Sequence, residues 1–423
     1  MTSVATDSPT TTPSALTGIR VVEFGPYVAL PLTGRILGSL GAEVIKVETN
    51  KVLDEMAFIP AWSRGAGQPE YQRGKRRITL DVRTDAGRDL ILEMVRISDV
   101  FMTNFRRNVL DRWGIDFPEI RRQRRDAIIM WQTGLGGHGP YYTYKSFGIL
   151  VQHLSGVSLM TGLPDEPPGV VNTSYSDYHT GVFQPAGIIA ALMRRNLTGK
   201  TATLESSIFK SGVATCGPAL LDYQVNGRGP QRRGNRDAWA APHGVYPCAP
   251  DPISGDADRY IAISIADDEQ WAMFRKAAGD PEWASAPEYE TRIGRQRNQD
   301  ALDDAISVWT RPQKSEDVMQ NLQQAGVPAG IVSQGADLNG SSHLNSRNFY
   351  QDTQYWEAER GVKATEWVEG ESVSWSIPAK MSGTPIAFGN YSNIGQDNAY
   401  VFGELLGLTD AEIAELEEAE VIY

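Results

Sequence analysis

Apolar residues in the first third of the chain fall in short β-branched runs separated by helical patterns. "IRVVEFG" (19–25) is such a run closed by glycine and predicts a buried strand. "PLTGRILGSLGAEVIKVE" (31–48) predicts a helix, a Gly-Ala turn and a second strand in "EVIKVE". "RRITLDV" (76–82), "VFMTNF" (100–105) and "AIIMWQTG" (127–134) read as further strands, with a helix over "DAGRDLILEMVRISDV" (85–100). Strands alternating with helices predict an α/β fold, a parallel sheet wound in βαβ units. Ligands of such sheets gather at the carboxyl ends of the strands.

The periodicity then changes. In "NTSYSDYHTGVFQPAGIIAALMRR" (172–195), Val182, Phe183, Ala186, Ile189, Ala190 and Met193 recur at helical spacing and predict the buried face of a helix. Residues 225–260 are Gly/Pro/Arg-rich and loop-like, and 260–333 read as a second, smaller α+β domain. Beyond about 345, "SVSWSIPAKMSGTPIAFG" suggests short strands. The chain closes with an amphipathic helix pair, in which Thr409 and Glu412 suit a capping box. There are no internal repeats.

Composition narrows the classes. A chain of 423 residues exceeds what one core usually serves, so two domains are expected. A net charge of −12 opposes nonspecific nucleic-acid binding, so an anionic ligand must be met by local basic clusters. Two cysteines, Cys216 and Cys248, give no disulfide framework and fit a reducing compartment. No apolar run of about 18 residues offers a membrane span. "MTSVATDSPTTTPSALTG" lacks a signal-peptide pattern and reads as disordered to Ala15. A cytoplasmic protein is expected.

Glu48, at the end of the second strand, invites a test for a nicotinamide dinucleotide site. The loop after the first strand, "FGPYVALPLTGR", has no G-x-G-x-x-G, which rejects it. H-E-x-x-H, C-x-x-C and G-x-S-x-G are also missing, and no histidine pair has metal-ligand spacing. His138, in "GLGGHGPY", reads as loop structure. Basic clusters are more informative: Lys75, Arg76 and Arg77 precede a strand, and Arg106 and Arg107 follow a strand's carboxyl end. Lys145 adds a cation near the Gly-rich loop, whereas "RRQRR" (121–125) reads as a solvated helix face. Asp177 stands at a predicted helix start, where a carboxylate either caps the backbone or does chemistry.

In order and spacing, "LGAEVIKVE", "KRRITLDVRTDAGRDLI", "NFRRNVLDRWGI", "GLGGHGPY", "SDYHTGVFQPAGIIAALMRRNLTGK" and "RRGNRDAWAAPHGVYPC" resemble the family III coenzyme A transferases, over almost the whole chain. Their relatives include formyl-CoA transferase, carnitine CoA-transferase and 2-methylacyl-CoA racemase. The resemblance implies that Asp177 is the nucleophile, and that Lys75, Arg76, Asn104, Phe105, Arg106 and Lys145 surround the CoA site. It implies a Rossmann-like large domain built from both chain ends (16–208 and 351–423), a small α+β domain (233–333), and linkers at 209–232 and 334–350. It also implies an interlocked dimer, either of one chain or with a second family III subunit.

The activity so implied is CoA transfer from an acyl-CoA such as succinyl-CoA to a carboxylic acid, through an aspartyl anhydride and an aspartyl-CoA thioester. No metal and no cofactor beyond CoA itself are implied. The chain departs from the family at Phe147 and Gly148. There formyl-CoA transferase has a second carboxylate and the racemase a His-Asp pair. The missing histidine counts against racemisation. Gly148 leaves room for a bulkier acyl group, and Trp131, Tyr141, Tyr142 and Phe147 suit an aromatic or bulky acid. "TSYSD" and "TGKTATLES" also depart, which keeps open one half of a two-subunit enzyme, as catalytic or as non-catalytic partner.

Overall fold

The structure, a computed structural model, describes residues 12–49, 51, 71–171, 174–251, 257–354, 371–387 and 389–423. Its chain forms two compact units, one of 1–158, 170–229 and 344–423 and the other of 159–169 and 230–343. In the first unit, six strands lie in the order β3-β2-β1-β4-β5-β6, all parallel. They are β1 (Arg20–Phe24), β2 (Glu43–Glu48), β3 (Arg76–Thr79), β4 (Val100–Thr103), β5 (Ile128–Thr133) and β6 (Thr203–Ser207). The strand order reverses between β1 and β4, and the crevice beyond their carboxyl ends is where a doubly wound sheet receives its ligand.

Both faces of the sheet are covered, which is why the inner strands β1, β2, β4 and β5 are mostly apolar and buried without alternation. Val21, Val44, Val100 and Ile128 turn to one side, against Leu30 and Leu37 of α1 (Ala29–Ser39). Val22, Ile45, Ile78, Phe101 and Ile129 turn to the other, against Ile91, Met94 and Val95 of α2 (Asp85–Arg96). Thr84 caps α2, its hydroxyl accepting from the Gly87 N–H. Two short helices, α3 (Arg107–Trp113) and α4 (Phe117–Gln123), lead from β4 to β5. After β5 come α5 (Gly148–Leu154) and the long α6 (Tyr175–Thr198), and after β6 α7 (Ile208–Thr215) and α8 (Gly217–Asn226).

The second unit holds an antiparallel sheet of β7 (His243–Pro247), β8 (Tyr260–Ser264) and β9 (Ala329–Ile331). Its core joins Ile261 and Ile263 to Trp271 and Phe274 of α9 (Asp268–Ala277), Leu302 of α10 (Gln299–Thr310) and Leu322 of α11 (Ser315–Gln324). The first unit takes up the chain again at 344, where β10 (Tyr350–Gln354) and β11 (Glu371–Trp375) pair antiparallel. Val401 and Phe402, in a π-helical segment (Ala399–Leu405), join the core on the α2 side. The last helix, α12 (Asp410–Glu418), begins with the expected capping box between Thr409 and Glu412. No helix among the described residues is long and apolar enough to cross a membrane.

Several expectations are corrected. The predicted apolar face of α6 is not the buried one: Val182, Phe183 and Met193 are 58%, 63% and 59% exposed in this chain. What α6 buries is the row Ser176, Thr180, Gly181, Gln184, Pro185, Ile188, Ala191 and Leu192. Small and polar residues win there because α6 passes very close to α1: a Cβ at Gly181 would stand 2.8 Å from the Ala29 carbonyl oxygen. Thr33 closes the seam by donating to the Gln184 amide oxygen at 2.7 Å.

Residues 209–226, expected as a loop-rich linker, are mostly helical in α7 and α8. The "RRQRR" run is no free solvated face: Arg121 reaches the Ala202 carbonyl and the Thr201 hydroxyl, and Arg124 pairs with Asp99. Within "SVSWSIPAKMSGTPIAFG", the described residues after Trp375 form no strand. The expected disordered start lies outside the described residues up to 11, but Ser14 donates to the Pro385 carbonyl at 2.9 Å.

Candidate active site

The turn from β1 into α1 lies at the switch point. Gly25 has φ +158° and Tyr27, a non-glycine residue, sits at φ +74°. A side chain is strained there and stays only where its surroundings hold it. Asn104, just past β4, donates from Nδ2 to the Pro26 carbonyl at 2.7 Å, while its Oδ1 lies where a Cβ on Gly25 would sit. The Tyr27 ring meets the Phe147 ring edge-on, centroids 5.4 Å apart. Phe147 leads into Gly148, the first residue of α5.

Gly148 is where Asp177 enters. A Cβ there would stand 1.7 Å from Asp177 Oδ2 and 2.9 Å from Ser174 Oγ. The room that Gly148 was expected to leave for substrate is therefore filled by the Asp177 carboxylate itself. Asp177 lies in the first turn of α6, whose preceding residue, Ser174, is also left-handed (φ +39°). Among the described residues, the Ser174 side chain is the one group bonded to the carboxylate, and no cation stands close enough to offset its desolvation. Burial pushes the acid up to about 6. Tyr178, next in sequence, shares a hydroxyl–hydroxyl bond with Tyr71, and burial raises its phenol. Next to it, His179 Nδ1 lies 2.7 Å from Ser211 Oγ.

The predicted CoA-site residues divide by where their charge points. Arg106 and Lys145 are exposed and carry no ion pair among the described residues. Arg76 is half exposed, pairs with Asp397 at 3.0 Å and lies over the Tyr400 ring. Phe105 packs between Phe24 and Trp113, its carbonyl accepting from Trp131 Nε1 at 2.9 Å. Lys75 points inward: its Nζ lies 2.8 Å from Glu23 Oε2 and donates to the Pro31 carbonyl (2.8 Å) and the Gln72 amide oxygen (3.2 Å). Burial lowers its ammonium to about 7, against the attraction of Glu23. Arg77 and Glu48 form a buried two-point pair, 2.7 and 2.9 Å, so Glu48 is committed within the fold.

The Gly-rich loop after β5 is held from below. Gly137 packs on the Trp131 ring and donates its N–H to Glu205 Oε1 at 2.9 Å, while His138 Nδ1 lies 3.3 Å from Oε2. Among the described residues, no group of three His, Cys, Asp or Glu side chains is arranged for a metal. Sequence reading passed over Tyr27, Ser174, Glu23 and Lys46. Only "FGPYV", a glycine and a proline at the end of the first strand, hinted at an unusual turn.

Comparison with known proteins gives these features a context. The sequence model of CoA-transferase family III matches residues 16–398. Succinyl-CoA--D-citramalate CoA-transferase of Chloroflexus aurantiacus is 29% identical over 417 residues, 97% of this chain and 98% of that protein. The beta subunit of succinyl-CoA--L-malate CoA-transferase from the same organism is 27% identical, covering 98% and 99%. A crystal structure of a CAIB/BAIF family protein from Brucella suis superposes with a TM-score of 0.82 at 26% identity, over 93% of this chain and 100% of that one.

Proposed function

The chain belongs to CoA-transferase family III, and on that footing we propose that it moves CoA from succinyl-CoA to a bulky or aromatic carboxylic acid through covalent states of Asp177. One observation carries the reading: a desolvated carboxylate with no cation beside it among the described residues, its acid raised to about 6. Such a group is mostly ionised at neutral pH yet more basic than an ordinary carboxylate, which makes it the better nucleophile.

Asp177 attacks the thioester carbonyl carbon, the C–S bond breaks, and CoA leaves as thiolate, giving an aspartyl-acyl mixed anhydride. The thiolate attacks the Asp177 carbonyl, freeing the donor as carboxylate and leaving an aspartyl-CoA thioester. The acceptor carboxylate attacks that thioester, giving a second anhydride and thiolate. Attack of the thiolate on the acceptor carbonyl yields the new acyl-CoA and restores Asp177. No water and no net proton are consumed, so a closed, dry site favours every step.

Arg106 and Lys145, exposed and without an ion pair among the described residues, are assigned to the CoA phosphates, with Arg76 at the rim and Asn104 and Phe105 shaping the crevice. Tyr27 and Phe147 form an aromatic wall beside Gly148, which suits a bulky acid. The exposed apolar face of α6 is assigned to a second family III subunit, as the subunit named among the relatives invites; an interlocked pair acting in the cytoplasm is the full proposal. Hydroxylamine is the test. Incubated with succinyl-CoA and no acceptor, it should inactivate the enzyme and convert Asp177 to a hydroxamate, seen by mass in the peptide holding "SDYHTG". Adduct on a different acid would move the nucleophile, and absence of any adduct would refute the covalent route.

A further inference from the structure

We propose that the buried trio Glu23, Lys46 and Lys75 is a positioning device that clamps both ends of the Gly25–Pro31 segment and so sets Tyr27 beside the Asp177 niche. The proposal deepens the transferase reading and rests on it for its kinetic consequence. Glu23 is wholly buried in β1, the central strand beside the switch point. Lys46, on neighbouring β2, lies 2.9 Å from Glu23 Oε1 and donates to the Gly25 carbonyl at the start of the segment. Lys75, before β3, lies 2.8 Å from Glu23 Oε2 and donates to the Pro31 carbonyl at its end, in the first turn of α1.

One carboxylate thus fixes two ammonium groups, and each ammonium fixes one end of the same turn. Room for this arrangement is made by Gly34 of α1, where a Cβ would stand 1.8 Å from Glu23 Oε2. Three buried charges are costly unless they are paired and hydrogen-bonded, and ordinary aliphatic residues would fill the space with less desolvation. What the trio supplies that aliphatics could not is a pair of directed bonds to backbone carbonyls. Tyr27, left-handed at φ +74°, is the residue that needs them, because strained backbone persists only where its surroundings over-determine it. On this account Lys75 acts through the turn and touches no phosphate.

Lys75→Met is the informative variant, since it leaves Glu23 and Lys46 as a balanced pair. Hydrogen exchange of the peptide spanning residues 25–34 should speed at least tenfold, while that of β1 and β2 stays within twofold. With succinyl-CoA as probe, hydroxylamine trapping of Asp177 should slow at least tenfold at an unchanged KM. Gly34→Ala, which displaces Glu23 without removing a charge, should reproduce both effects and stands in if Lys75→Met fails to fold. Unchanged exchange at 25–34 in both variants overturns the clamp whatever the kinetics. A tenfold rise in KM at an unchanged trapping rate makes Lys75 a phosphate ligand and overturns it as well. Should wild-type Asp177 give no adduct while the exchange at 25–34 still rises in the variants, the clamp stands and the transferase chemistry is what fails.

Discussion

Replacing the nucleophile should stabilise the protein, and the gain should depend on pH. Asp177 titrates at about 6 in the folded chain against 3.8 when free, because burial disfavours its charged form more than the Ser174 bond favours it. A raised folded value means that the folded state holds the proton more tightly. Its favourable contribution is complete below 3.8 and is lost as pH rises through 6. From those two values, ionising Asp177 costs the folded state ~1.6 kcal/mol at pH 5 and ~3 kcal/mol at pH 8.

An amide in place of this carboxylate is neutral at every pH, has nearly the same volume and can still bond Ser174. Asp177→Asn should therefore be inactive yet more stable than wild type, with its advantage growing by ~1.4 kcal/mol between pH 5 and pH 8. Urea unfolding at a series of pH values, with equal slopes for both proteins, measures the difference directly. An advantage that does not change with pH, or a variant less stable than wild type at pH 8, would refute the desolvated niche. Strain of this kind, retained at a site because activity needs it, is a common source of stabilising but inactivating substitutions.

Arg106→Ala should raise the KM for succinyl-CoA about tenfold, ~1.4 kcal/mol, with kcat within about twofold, since a phosphate contact is equal in ground and transition states. An unchanged KM would remove Arg106 from the site. Phe183→Glu should leave the circular dichroism of the chain intact and reduce its sedimenting mass to that of one subunit, because a charge buried in a subunit contact is poorly tolerated. A mass equal to wild type would free the outer face of α6 from any role in association.

The sequence alone determined the winding of the sheet. Five of its six strands were legible because short β-branched runs buried on both faces leave no polar alternation to confuse with helix. β6, "TLESS", carries polar residues at an edge of the sheet and was not recognisable; it is a strand because β5 offers it hydrogen bonds. The capping box of α12 was equally legible, being a local matter of Thr409 and Glu412. Apolar spacing in α6 showed that Val182, Phe183 and Met193 share a face but could not say what covers it. The close approach of α1 at Gly181 decided that this chain's own core takes the opposite face.

At the site, residue types and family resemblance drew attention to Asp177, Gly148 and Lys75, but sequence carries no distances. Only the tertiary structure put the Asp177 carboxylate into the space over Gly148, which turns expected room for substrate into the nucleophile's own niche. Only it turned Lys75 away from solvent, because Glu23, 52 positions earlier, waits inside the sheet. A cation's local sequence sets its charge. Which anion it meets depends on strands that are distant in the chain and adjacent in the fold, and that pairing is what the packing of β1, β2 and β3 decided.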